Sequence, residues 1–98
     1  MIATAKTLII SGDKSQRGII FERIDGVFQY YVQYLGTYSD EDNEDMFWRP
    51  KFISGLFESD DDAKADLVKY IGDDSSEFSI HRENFDVSNW GMIDPKIA

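Results

Sequence analysis

Apolar and polar positions alternate most clearly from Gly18 to Leu35, GIIFERIDGVFQYYVQYL, where two runs rich in β-branched and aromatic residues flank Asp25-Gly26. Two such runs around Asp-Gly predict a β-hairpin closed by a two-residue type I′ turn, because Asp and Gly tolerate the positive φ that both central positions need. That turn would set Ile24 opposite Val27, Arg23 opposite Phe28, Phe21 opposite Tyr30 and Ile19 opposite Val32. One face then carries Ile19, Phe21, Phe28, Tyr30, Val32 and Tyr34 and is expected to be core. The other carries Ile20, Glu22, Ile24, Val27, Gln29, Tyr31, Gln33 and Leu35. It is mixed, and is expected to be half-covered or open to water or a partner.

The remaining elements fall around this hairpin. Thr4 to Ile10 reads as a first strand, and Ser11 to Gln16 as a turn. With strands at about Arg17 to Ile24 and Val27 to Thr37, an antiparallel meander follows. Ser39 to Asp45 carries five acids in seven residues and is expected as an exposed loop. Pro50 cannot donate to a ladder, so Met46 to Pro50 reads as an edge or a loop end. Lys51 to Glu58 reads as a fourth strand, with Gly55 as a candidate bulge.

Ser59 to Gly72 carries the helix signals. Ser59 is an N-cap, Asp62 stands at the capping-box position, and Asp60, Asp61 and Asp62 complement the dipole in the first turn. Ala63, Leu67, Tyr70 and Ile71 form one apolar stripe, and Gly72 suits the left-handed position after the helix. Glu77 to Arg82 reads as a fifth strand, and Asn84 to Ala98 as an extended tail that packs locally. The fold class expected is therefore α+β: one domain over 1–98, an antiparallel sheet of about five strands with one main helix packed on one face.

Composition changes this picture little; charge changes it more. At 98 residues, with 14% aromatics and no cysteine, the chain is long enough for one core and offers neither a disulfide nor a thiolate metal site. No apolar run approaches a bilayer's thickness, and the opening MIATAKTLIIS, broken by Lys6, does not read as a signal peptide, so a cytoplasmic location is expected. The net charge of −9 lies wholly between Asp40 and Glu77, a window with 13 acids and 4 bases; the rest of the chain has six of each. Such a field repels nucleic acid and anionic membranes and attracts basic surfaces.

Catalysis finds little footing. One histidine, His81, falls on the outer face of a strand, and no nucleophile elbow or phosphate-binding loop is present, so no enzyme activity and no cofactor are expected. Asp40, Asp42 and Glu44 alternate as calcium ligands do, but an EF-hand would need glycine in place of Asp45 and glutamate in place of Lys51, so no metal site is assigned. The run Asp40, Glu41, Asp42, Glu44, Asp45 is either a solvated loop or a docking surface for a basic protein. Its concentration, and its passage straight into Phe47 and Trp48, favour docking, since aromatic residues anchor interfaces. Asp60, Asp61 and Asp62 cap the helix, and their surplus is expected to extend the same surface. Trp48 is expected as a contact residue.

Phe52-Ile53-Ser54-Gly55-Leu56-Phe57-Glu58-Ser59, followed by acids, Ala63 and Tyr70, resembles the strand-then-helix unit of small bacterial immunity proteins of the contact-dependent growth inhibition type. The resemblance covers about twenty residues, and no functional residue carries over by motif. In size, acidity and lack of cysteine the chain is also similar to phage-encoded anti-CRISPR proteins. What these resemblances imply is a small acidic inhibitor that neutralises a basic nuclease toxin by occluding its active site. The alternatives are an anti-CRISPR acting as a nucleic-acid mimic, and a structural or assembly subunit that self-associates through the mixed hairpin face.

Overall fold

A computed structural model describes residues 2–39 and 44–86, with the backbone alone at 37–39, 44–47 and 86. The elements are β1 (Ile2–Ile10), β2 (Gln16–Arg23), β3 (Phe28–Ser39), β4 (Glu44–Ile53), α1 (Asp60–Ile71) and β5 (Ser76–Asp86). The strands form one antiparallel sheet in the order β4-β3-β2-β1-β5, with α1 against β2 and β3, so the fold is α+β as the sequence pattern predicts. β1 to β4 make the meander. β5 must return to the far edge, four strand spacings of about 4.8 Å away, and a twelve-residue helix at about 1.5 Å per residue spans that width.

The central hairpin exists, but its register differs from the expected one by one residue. Arg23 N–H donates to Val27 O at 2.8 Å and Gly26 N–H to Arg23 O at 3.0 Å. The loop is thus Ile24-Asp25-Gly26, a turn followed by a left-handed glycine at φ 84, not a two-residue type I′ turn. Asp25 is not at positive φ. Ile20 pairs with Tyr30, Ile19 with Tyr31, Gly18 with Val32 and Arg17 with Gln33. A one-residue slip turns the side chains of one strand over relative to the other. The expected face is therefore split. Ile20, Tyr30 and Val32 pack under α1 with Ile9, Ala63, Leu67 and Ile71, edged by Phe28, Phe52, Phe57 and Val68. Ile19 and Phe21 belong to the opposite face, with Ala3, Ala5, Leu8, Ile10 and Phe85. The middle of the hairpin is buried on both faces, and Gln29 and Gln33, expected on a face half-covered or open to water or a partner, are 8% and 4% exposed.

Ala3 and Ala5 share a face with Leu8 and Ile10 only because the β1 register shifts between Ala5 and Thr7. One extra residue in a strand reverses its alternation. Ser59 caps α1 as predicted, its hydroxyl accepting from Asp62 N–H at 3.1 Å, and Gly72 closes the helix at φ 108. Ala63, Leu67 and Ile71 are buried; Tyr70 stays 43% exposed, its ring edge-on to Phe52.

The fourth strand is a second correction. It runs Glu44–Ile53, across the acids Glu44 and Asp45 read as loop and across Met46 to Pro50, read as an edge or a loop end and found to be edge strand, while Lys51 to Glu58 is not a continuous strand. Beyond Ile53 the regular ladder ends. Ser54 N–H still donates to Tyr30 O at 2.8 Å while its Oγ accepts from Tyr30 N–H at 2.9 Å, and Phe57 bridges back to Phe28. Pro50 is accommodated because β4 is an edge strand, with a register shift at Val32/Gln33 beside it. Strand β5 reaches Asp86; the rest of the predicted tail, 87–98, lies outside the described residues.

Candidate functional site

The acid run that the sequence singles out lies at the end of the β3–β4 hairpin. Asp40, Glu41 and Asp42 are outside the described residues, and Glu44, Asp45 and Phe47 are described by backbone alone. The flanking backbone is informative. Ser39 pairs with Glu44, Tyr38 with Asp45, Thr37 with Met46, Gly36 with Phe47 and Leu35 with Trp48. Strand β2 begins at Gln16, opposite Tyr34, and the last backbone contact with its side of the sheet is Leu35 N–H to Ser15 O at 2.8 Å. Beyond that point, among the described residues, β3 and β4 pair with each other alone. Five residue pairs at about 3.3 Å each make an arm of about 15 Å, and the densest acid run of the chain connects its two strands.

The root of this arm is built from three neighbouring strands. Arg17 on β2 is 1% exposed; its Nε donates to Gln33 Oε1 on β3 at 2.9 Å, and its guanidinium lies 4.3 Å from the centroid of the Trp48 ring on β4. Burial pushes Arg17 down to about 10, so it remains a cation at neutral pH. A guanidinium over an indole is a favourable cation–π pair, stronger when desolvated. On the other side, the Arg49 side chain lies flat over Gly36, where an added Cβ would come within 2.6 Å of Arg49 Nε. Trp48, expected as a contact residue, is half-buried in this root. Gln33 was read from the sequence on the mixed face, but its pairing with Arg17 was not, and the one-residue register error is the reason: only the observed register puts them side by side.

Asp60, Asp61 and Asp62 are elsewhere. They start α1 just after Phe57, which bridges Phe28 at the beginning of β3. Ser39, at the arm's end, is eleven residues further along the same strand, roughly 35 Å at about 3.3 Å per residue. The structure does not bring these acids to the arm. Asp60 Oδ1 is buried, and Asp62 N–H is held by the Ser59 cap. Two further acids of the window are bonded within the protein. Asp66 accepts from Tyr30 O–H at 2.5 Å, which together with burial raises the Tyr30 phenol well above its usual range. Glu77 pairs with Lys64 at 2.6 Å and raises the Lys64 ammonium. Asp74 rests against Gly12, where any Cβ would collide with its carboxylate.

His81 is on an exposed strand face, 3.5 Å from the equally exposed Glu83. An open concavity of about 420 Å³ at the hairpin end is lined by Ile2, Arg23, Ile24 and Asp25, with Arg23 ion-paired to Asp25 at 3.2 Å. The two charged groups of this concavity are thus bound to each other, and the rest of its lining is aliphatic. Among the described residues no cluster of three metal-ligating side chains occurs; the alternating acids Asp40 and Asp42 lie outside them. No described helix is long and apolar enough to cross a membrane. Comparisons with protein-family models, with curated proteins and with solved structures find no match to this chain.

Proposed function

We propose that the protein is a stoichiometric inhibitor of the immunity-protein kind, which binds a basic protein partner through the β3–β4 arm and blocks its working surface. The observation that carries this reading is the continued pairing of Leu35–Ser39 with Glu44–Trp48 beyond the end of β2. The arm carries Ser39 and Glu44, the residues on either side of 40–43, beyond the end of β2, and a solubility device needs no such support. A carboxylate-rich arm suits a cationic groove shaped for nucleic-acid phosphates, so the partner is a nuclease, a toxin domain in the simplest case. Opposite potentials speed association and make it sensitive to salt. A cytoplasmic setting suits a chain without cysteine. The surface is narrower than the sequence pattern suggests: it is the arm, with Asp60, Asp61 and Asp62 left to the helix. Against self-association through the mixed hairpin face stands the burial of Ile19, Phe21, Gln29 and Gln33 within the chain itself.

The test takes a basic nuclease domain, sought first among the products of the genes adjacent to this chain's, and measures complex formation, association rate and residual nuclease activity. The wild-type chain is compared with the variant in which Asp40, Glu41, Asp42, Glu44 and Asp45 are changed to their amides. Inhibition at one-to-one stoichiometry, with slower association and a flatter salt dependence in the variant, is expected. No complex at low salt, or a variant indistinguishable from wild type, overturns the proposal.

A further inference from the structure

We propose that Arg17 is the positioning residue of the β3–β4 arm: from β2 it fixes β4 against β3 at the last point where the sheet supports them, and so holds the arm ready for its partner. The inference rests on the reading of the arm as the binding element, and it concerns how that element is kept in place.

The first ground is the cost of the residue. Arg17 is 1% exposed, and burying a charge is expensive even when it is well bonded. A methionine of similar length would fill the same volume without that penalty, so packing alone does not account for an arginine here. The second ground is where its groups point. Nε donates to Gln33 on β3 at 2.9 Å, while the guanidinium carbon lies over the Trp48 ring on β4, 4.3 Å from its centroid. One rigid planar group thus holds a directional bond to one strand and a cation–π contact to the next, and it can keep both only while the two strands stay in register. The third ground is place. Arg17 pairs with Gln33 one step from the end of the β2–β3 ladder, and Trp48 belongs to the first β3–β4 pair of the arm. Arg49 over Gly36 closes the other side of the same root. A two-stranded ribbon is marginal by itself in water, so its order must come from the root. Trp48 then serves the arm as an anchor, and the carboxylates beyond it meet the partner. Binding by an ordered arm avoids the entropy of fixing it during association, and the benefit appears chiefly as slower dissociation.

The experiment is amide hydrogen exchange on the full, free chain, wild type against Arg17→Met and Arg17→Lys. Lysine keeps the charge and loses both the planar face and the Nε donor. In Arg17→Met, arm amides from Leu35 and Phe47 outward should exchange about tenfold faster, while amides of the Ile20–Tyr30 part of the sheet keep their wild-type rates. Arg17→Lys should behave like Arg17→Met. Unchanged arm rates, or a uniform rise across the sheet, overturn the proposal, as does failure of both variants to fold, which would make Arg17 a folding residue. Against the nuclease domain of the preceding test, Arg17→Met should dissociate about tenfold faster with an unchanged salt slope, because every arm carboxylate remains. If wild type forms no complex, the inhibitor reading falls, and exchange alone then decides the role of Arg17.

Discussion

Gly18 gives the sharpest test of the observed register. It pairs with Val32 on the helix-facing side of the sheet, and α1 crosses directly above it. A Cβ built there would lie 2.6 Å from both Cδ atoms of Leu67 and 3.1 Å from its Cγ. Leu67 is fully buried among Ile20, Val32 and Ala63, so its methyl groups have no free volume to enter. Overpacking of this kind costs about 1–3 kcal/mol. Replacing glycine in a strand returns about 0.4–1 kcal/mol through the unfolded chain. Gly18→Ala should therefore destabilise by about 1–2 kcal/mol. Leu67→Ala, which leaves a cavity, should cost about 3 kcal/mol. In the double variant the new methyl group occupies part of that cavity, so the combined loss should fall short of the sum by about 1–2 kcal/mol. Urea denaturation followed by circular dichroism, with the slope checked for constancy, measures all four corners of the cycle. With the register of a two-residue turn, Gly18 would lie on the opposite side of its strand from Val32's face, far from Leu67. A neutral or stabilising Gly18→Ala, or strict additivity with Leu67→Ala, would refute the close approach of strand and helix.

Gly26 has open space around it and φ 84, so Gly26→Ala should lose only the backbone penalty of the left-handed region, about 1 kcal/mol, read as a lower thermal midpoint. Ser59→Ala removes the oxygen that accepts from Asp62 N–H and should cost about 1 kcal/mol in the same assay, with Ser59→Asp restoring most of it. The Asp13 carboxylate is held down at about 2 against its ordinary 3.8 by the Ser15 hydroxyl and backbone N–H and by the Ser11 hydroxyl. A depressed folded-state pKa means that this support is present above about pH 4 and is lost as the pH falls from 4 towards 2. Thermal midpoints of wild type and Asp13→Asn should therefore differ above pH 4 and converge near pH 2.

The helix was legible because its signals are local. The cap at Ser59, three acids in the first turn, apolar residues at Ala63, Leu67 and Ile71, and glycine at 72 each act within a few residues of chain. The hairpin was legible as a hairpin, since both candidate turns use Asp25-Gly26. Its register was not, because the hydrophobic count favours the wrong answer. The two-residue turn collects Ile19, Phe21, Tyr30 and Val32 on one side and leaves the polar residues on the other. The three-residue loop gathers Arg17, Gln29 and Gln33 on the Ile19–Phe21 face, where Arg17 and Gln33 bond to each other and Gln29 donates to Ser54 O at 2.9 Å. Such pairing depends on partners distant in sequence and leaves no local mark. The bounds of β4 were misplaced for a related reason. The acid run from Ser39 has poor strand propensity, and what makes Glu44–Ile53 a strand is pairing with β3, aided by an edge position that tolerates Pro50. Of the site, the acid run itself was readable, while its support at Arg17, Gln33 and Arg49 was not.

One charge window in sequence becomes two poles in space. Asp60, Asp61 and Asp62 lie at the Phe28 end of β3 and the arm runs to its Ser39 end, roughly 35 Å away along the strand. At physiological ionic strength fields between exposed charges fade over about 8 Å, so the poles act independently on an approaching protein. Changing the three helix acids to Asn should weaken the first turn by about 1–2 kcal/mol in total, since each acid near a helix start contributes about 0.3–1 kcal/mol. The same change should leave the association rate with a basic nuclease at its wild-type value in 0.15 M salt, a condition taken from that screening length. Neutralising the arm should do the reverse: slow association with the stability of α1 unaltered. Stopped-flow association beside thermal melting separates the two. If the helix acids slow association as much as the arm acids do, the poles serve one contact surface, and a partner large enough to span the length of β3 must replace one that grips the arm.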